Sequence, residues 1–128
     1  MGAAPDNPAK RKHKHKTFQP IVLSDTRGYS GRYTGIDSTY FVDVRVAADG
    51  RLEVTVHEGS SATVLQDARI EGAKLTGSLL PKGGKPAAFQ ATFGRRDING
   101  RRAFGMITDH PVRVSGDVVI ERLFCARR

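Results

Sequence analysis

From Thr17 onward, short stretches alternate apolar and polar residues, and Gly, Asp, Asn and Pro interrupt them about every eight to twelve residues. Successive side chains of a strand point to opposite faces, so this pattern predicts half-buried β-strands joined by turns. No window holds an apolar stripe at helical spacing, and the 14 glycines weigh further against helices.

Hairpin register tests the reading, because cross-strand partners share a face and apolar residues must meet apolar residues. Between the runs 40–46 and 51–56, a two-residue Asp49-Gly50 turn would set Val46 opposite Glu53. A three-residue loop Ala48-Asp49-Gly50, with Gly50 left-handed, instead pairs Val46 with Leu52, Val44 with Val54 and Val42 with Val56. In the second hairpin, 64–70 and 75–79, a Gly72-Ala73 turn pairs Glu71 with Lys74, Ile70 with Leu75, Ala68 with Gly77 and Gln66 with Leu79. That register places the polar Gln66 on the apolar face. In the third, Asn99-Gly100 is a type I′ signal that pairs Asp97 with Arg102, Arg95 with Phe104, Phe93 with Met106 and Ala91 with Thr108. Gly94 and Gly105 then stand opposite each other on the other face.

Two further strands follow from the same alternation. Residues 28–35 place Tyr29 and Tyr33 on one face, and residues 117–126 form the last strand. The total is about eight strands joined by mostly short loops. The expected fold is all-β: a small antiparallel meander closed into an up-and-down barrel, a calycin-like architecture, with a two-layer β-sandwich as the alternative. An eight-stranded barrel is just wide enough to be filled by side chains or to hold one small ligand. The shape recurs in lipocalins and avidin-like proteins, but no motif specific to either is present, and avidin-like pockets rely on Trp, which this chain lacks.

Composition adds bounds. The chain has 128 residues, a formal net charge of +8 and a single Cys, which suits one domain without an internal disulfide. No run of about 18 apolar residues is present, so no transmembrane helix is expected. Residues 1–16 read as a disordered basic arm, and residues 17–128 as one all-β domain. Lys10, Arg11, Lys12, Lys14 and Lys16 supply five of the eight net charges within seven residues. No apolar segment follows them, so the arm is not a secretory signal, and Asp6 breaks a myristoylation motif at Gly2. A cytoplasmic location is the default, with a mature exported form as the alternative. The arm is either a tether to nucleic acid or another polyanion, or a solubilising tail. It has no aromatic residues to stack on bases. His13 and His15 are two ligands short of a tetrahedral metal site, so neither a metal nor a cofactor is expected.

Little in the barrel carries catalytic chemistry. No phosphate loop, His-Glu zinc motif or nucleophile elbow is found. Cys125 reads as a buried, inert side chain. Asp109 and His110 are the weak catalytic candidates, in a sequence that first reads as a strand-ending turn before Pro111. His57 falls on the outward face with Glu53 and Thr55, in solvent. In the last strand, Val118, Ile120, Arg122 and Phe124 share one face, and Val119, Glu121, Leu123 and Cys125 the other, so either face carries a charge. With the Phe124 face inward, Arg122 joins Gln66, Tyr33, Tyr40, Phe93, Phe104 and Met106 as a lining for a small polar or acidic ligand; near a rim, Arg122 would instead reach water. Arg95, Arg96, Arg101 and Arg102 crowd one hairpin tip, either to clamp phosphate or to block strand-to-strand aggregation. The leading expectation is a non-enzymatic binding module for a small molecule or a partner segment. The alternatives are a polyanion-binding accessory protein and a small-barrel isomerase or cyclase. Exposed strand edges in an incompletely closed barrel leave monomer and homodimer both open.

Overall fold

A computed structural model describes residues 18–35, 39–80, 85–109, 112–115, 118–120 and 122–128, with 112–115 and 118–120 described by their backbone. The twelve strands among them are β1 (Gln19–Pro20), β2 (Gly31–Thr34), β3 (Tyr40–Val46), β4 (Leu52–Glu58), β5 (Ser61–Val64), β6 (Gln66–Glu71), β7 (Lys74–Leu79), β8 (Ala87–Ile98), β9 (Arg101–Thr108), β10 (Val112–Ser115), β11 (Val118–Ile120) and β12 (Leu123–Arg127). The main sheet runs β5-β4-β3-β2-β12-β9-β8-β7-β6 and every pairing is antiparallel. Its two end strands are consecutive in the chain and separated only by Leu65, whose amide donates to the Val54 carbonyl at 2.8 Å. One bent segment thus pairs with β4 through its first half and with β7 through its second, and the sheet curls into a nearly closed barrel. Strands β10 and β11 form a separate two-stranded sheet. No helix among the described residues is long and apolar enough to cross a membrane.

The first and third hairpins adopt the registers that their apolar patterns require. Val46 faces Leu52, Val44 faces Val54 and Val42 faces Val56. The loop closes through the Ala47 amide on the Arg51 carbonyl, and Gly50 takes φ 89°, where an L side chain is strained. At the third hairpin, Asn99 and Gly100 both have positive φ, and Phe93 pairs with Met106 and Arg95 with Phe104.

Three expectations are corrected. The second hairpin keeps Ile70 opposite Leu75, but a bulge at Asp67 (φ 54°) shifts the register, so Gln66 meets Ser78 rather than Leu79. The bulge turns Gln66 to solvent and brings Leu65 into the core instead. It removes the polar side chain from the apolar face, and an Asp tolerates the left-handed conformation that this needs. Residues 28–35 are not one strand: Thr26–Tyr29 form a 3₁₀ turn with Asp25 as its cap, and β2 begins at Gly31. The expected strand 117–126 is divided into β11 and β12, and in β12 it is the Leu123–Cys125 face that is inward. Arg122, just before β12, is exposed and pairs with Asp109 on the outside.

The interior is filled by large rings. Tyr29, Tyr33, Phe89 and Phe93 are fully buried. Tyr29 stacks on Phe93 with centroids 4.2 Å apart, and Phe104 packs against both tyrosines and Phe93. The Tyr33 hydroxyl donates to the Tyr29 carbonyl at 2.5 Å. The Tyr29 hydroxyl accepts from the Leu23 amide at 2.8 Å and donates to the Ile21 carbonyl at 3.0 Å. The phenols of Tyr29 and Tyr33 thereby keep polar partners, and the 3₁₀ turn is fastened over one end of the barrel.

Burial also governs titration. Cys125 is fully buried, and loss of solvation pushes its thiol up to about 12. Burial, opposed in part by Arg127, raises Tyr33 to about 12 as well. At pH 8 roughly one Cys125 thiol in ten thousand is then ionised. Reaction with a thiol-specific disulfide reagent should be slower by orders of magnitude in native than in denatured protein. The unfolded chain releases both protons at lower pH than the folded one. The contribution to stability is therefore complete below about pH 9 and is lost as pH rises toward 12. The urea midpoint should be lower at pH 10.5 than at pH 7.5; an equal or higher midpoint would contradict the assignment.

Candidate polyanion-binding surface

Arginines that lack an acidic partner locate this surface. Asp25, Asp43, Asp49, Glu53, Glu71, Asp97 and Asp109 each lie within 4.0 Å of an arginine: Arg27, Arg32, Arg51, Arg45, Arg69, Arg102 and Arg122 respectively. Such exposed pairs add little stability, but they neutralise the sides of the barrel. Among the described residues, the cations without an acidic partner are Lys74, Lys85, Arg95, Arg96, Arg101, Arg127 and Arg128. All but the two lysines belong to the β8–β9 hairpin or the end of β12.

Aromatic rings underlie these guanidinium groups. On the inward-facing row, at the barrel end, Arg127 lies 4.5 Å and Arg95 5.9 Å from the Phe104 ring centre. Arg127 also donates to the carbonyls of Gly28, at 2.6 Å, and Ser30. On the outward face, Arg96 lies 5.4 Å from the centre of Phe124. Contacts of this kind contribute about 0.5–1 kcal/mol at exposed sites, and they hold the cations in place without neutralising them.

The outward face has a second layer. Gly94 and Gly105 are cross-strand partners, and the space their side chains would fill is occupied by Phe18 and Phe124. These two rings meet edge to face at 6.1 Å. Strand β1 then pairs with the distal half of β8, Gln19 opposite Arg95, and the Gln19 side-chain carbonyl accepts from Arg102 at 2.9 Å. The chain therefore enters the fold on the Arg-rich hairpin itself. Lys10, Arg11, Lys12, Lys14 and Lys16 themselves lie outside the described residues.

The other expected positions fall elsewhere. Tyr33, Tyr40, Phe93 and Met106 are buried, and Phe104 is partly buried against them. Arg122 and Gln66 are not among them: Arg122 donates to Asp109 at 2.9 Å on the outside, and Gln66 is exposed. Surface crevices of about 310 Å³, lined by Val46, Leu52, Ala68 and Ile70, and of about 630 Å³, lined by Glu58, Ser61 and Gln66, touch none of the five aromatic and sulfur-bearing positions. Asp109 is tied to Arg122, and His110 lies outside the described residues. The sequence reading missed Phe18 and Gln19, which reach the hairpin from the other end of the chain, and saw Arg127 only as added charge at the C-terminus. It also took His57 as solvated; it is half-buried and stacks on Phe41 with centroids 4.2 Å apart.

Fold and surface together define a nearly closed antiparallel barrel with one cationic hairpin. No family model matches the chain, and neither the curated proteins nor the solved structures searched contain a significant match.

Proposed function

We propose that this protein is a non-enzymatic binding module for phosphate-bearing polyanions, with the β8–β9 hairpin and the basic segment 10–16 acting as one surface. The observation that carries the reading is charge segregation. Arg27, Arg32 and Arg51 on the barrel sides and Arg102 within the hairpin have carboxylate partners, whereas Arg95, Arg96 and Arg101 have none among the described residues, and β1, the first described strand after the basic segment, pairs with β8 beside them. Guanidinium groups suit phosphate oxygens because their planar donors match them two at a time.

The test is a chain with Arg95, Arg96 and Arg101 all changed to Gln, titrated against a labelled oligonucleotide and against heparin. At about 1 kcal/mol per lost contact, affinity should fall about a hundredfold. Undiminished affinity in the folded variant would overturn the proposal. A small acidic ligand is the second reading, favoured by Arg95 and Arg127 converging on Phe104. Saturable binding of a small anion, unchanged when residues 1–17 are removed, would select it.

A further inference from the structure

Resting on that reading and narrowing it, we propose that the polyanion is single-stranded nucleic acid, whose bases stack on the outward face of the barrel across β12, β2, β3 and β4. The register lays one cross-strand row over this face: Gly94, Gly105, Ala126, Thr34, Phe41 and His57 are successive partners. Small side chains at Ala126 and Thr34 separate two groups of planar side chains. On one side lies Phe124, with Phe18 at its edge and Arg96 over it. On the other, the Phe41 ring meets the His57 imidazole at 4.2 Å, inclined by 18°, and the Arg32 guanidinium at 4.3 Å.

Asp43 fixes the second group. It accepts from Arg32 at 2.9 and 3.2 Å and lies 3.3 Å from His57 Nε2. The planar groups are therefore oriented before any ligand arrives, which lowers the ordering cost of binding. Bases stack on aromatic rings, on imidazole and on guanidinium planes alike, without sequence preference. Strands β12 and β3 are two strand spacings apart, roughly 10 Å, a gap that an extended single strand can bridge. Toward the hairpin, the same face carries Arg96 and Arg101, free of acidic partners among the described residues. Arg128, likewise free, joins it through its amide, which donates to the Arg32 carbonyl. A duplex hides the faces of its bases, and a membrane or sulfated polysaccharide has none to offer. The pairing of stacking groups with free cations thus selects single strands.

The experiment uses the full chain and fluorescence anisotropy with a labelled oligothymidine of about 12 nucleotides, an abasic strand of the same length, a duplex, and heparin. The oligothymidine should bind at least about tenfold more tightly than the abasic strand. Phe41→Ala and His57→Ala should each weaken oligothymidine binding about tenfold, which is about 1.4 kcal/mol, and leave heparin binding within about twofold. His57 lies outside the hydrophobic core, so its variant serves if the Phe41 variant fails to fold. Equal affinity for the oligothymidine and the abasic strand, or preference for the duplex, overturns the stacking proposal and leaves the polyanion reading standing. Absence of binding to all four probes overturns both.

Discussion

Gly105→Val is expected to lower the melting temperature by about 10–20 °C, or to prevent folding, although valine is among the best strand formers and glycine among the worst. The argument is steric. Gly105 pairs with Ala126, where β9 joins β12. A Cβ there would overlap the Cys125 carbonyl oxygen, stand 3.0 Å from the Ala126 Cα and 2.8 Å from the Phe124 Cζ. Two of these atoms are backbone and cannot rotate away, so the β9–β12 ladder must shift. Through that ladder and the short β12–β2 pairing, the last strand joins the two halves of the sheet. Overpacking of this kind typically costs about 1–3 kcal/mol, and breaking ladder hydrogen bonds adds to it. Gly50→Asn is the control. Gly50 also has a special conformation, φ 89°, but nothing lies within 4 Å of its missing side chain, and Asn tolerates positive φ. It should cost no more than about 1 kcal/mol. Thermal unfolding followed by circular dichroism measures both. If Gly105→Val melts with the parent, β9 and β12 do not approach as closely as described.

The contrast shows what the sequence carries. That Gly94 and Gly105 face each other followed from the Asn99-Gly100 turn and the alternation around it, because hairpin pairing is local. What fills the space above them did not follow, because Phe18 comes from the other end of the chain and Phe124 lies 19 residues after Gly105 in a different strand. Gln66 marks the same boundary. Its place on an apolar face was a conflict between register and polarity, and the fold resolves it with a bulge at Asp67. The conflict was legible; the device that removes it was not. Arg122 posed a similar conflict, on the assumption that 117–126 is one strand, and the division between β11 and β12 dissolves it. The charge clusters at 10–16 and 95–102 were each visible as runs. That β1, which follows the first of them, pairs beside the second across more than 70 residues has no local signature.

If those two clusters form one surface, salt should separate their contributions. Binding to a single strand releases counterions, and the logarithm of affinity falls with the logarithm of salt concentration at about 0.7 per phosphate neutralised. The five cations of the 10–16 segment with Arg95, Arg96 and Arg101 give a slope near about −5.6, or a loss of roughly two thousandfold between 50 and 200 mM salt. Removing residues 1–17 should reduce the slope to about −2 and the loss to roughly twentyfold, while the triple Arg variant should retain a slope of about −3.5. The three slopes test the surface independently of absolute affinity, which stacking also changes. Were the full chain no steeper than the truncated one, the basic segment would not engage the strand that the hairpin holds. Were the triple variant as steep as the parent, the arginines would serve the barrel edge alone, as charges that keep one sheet from pairing with another.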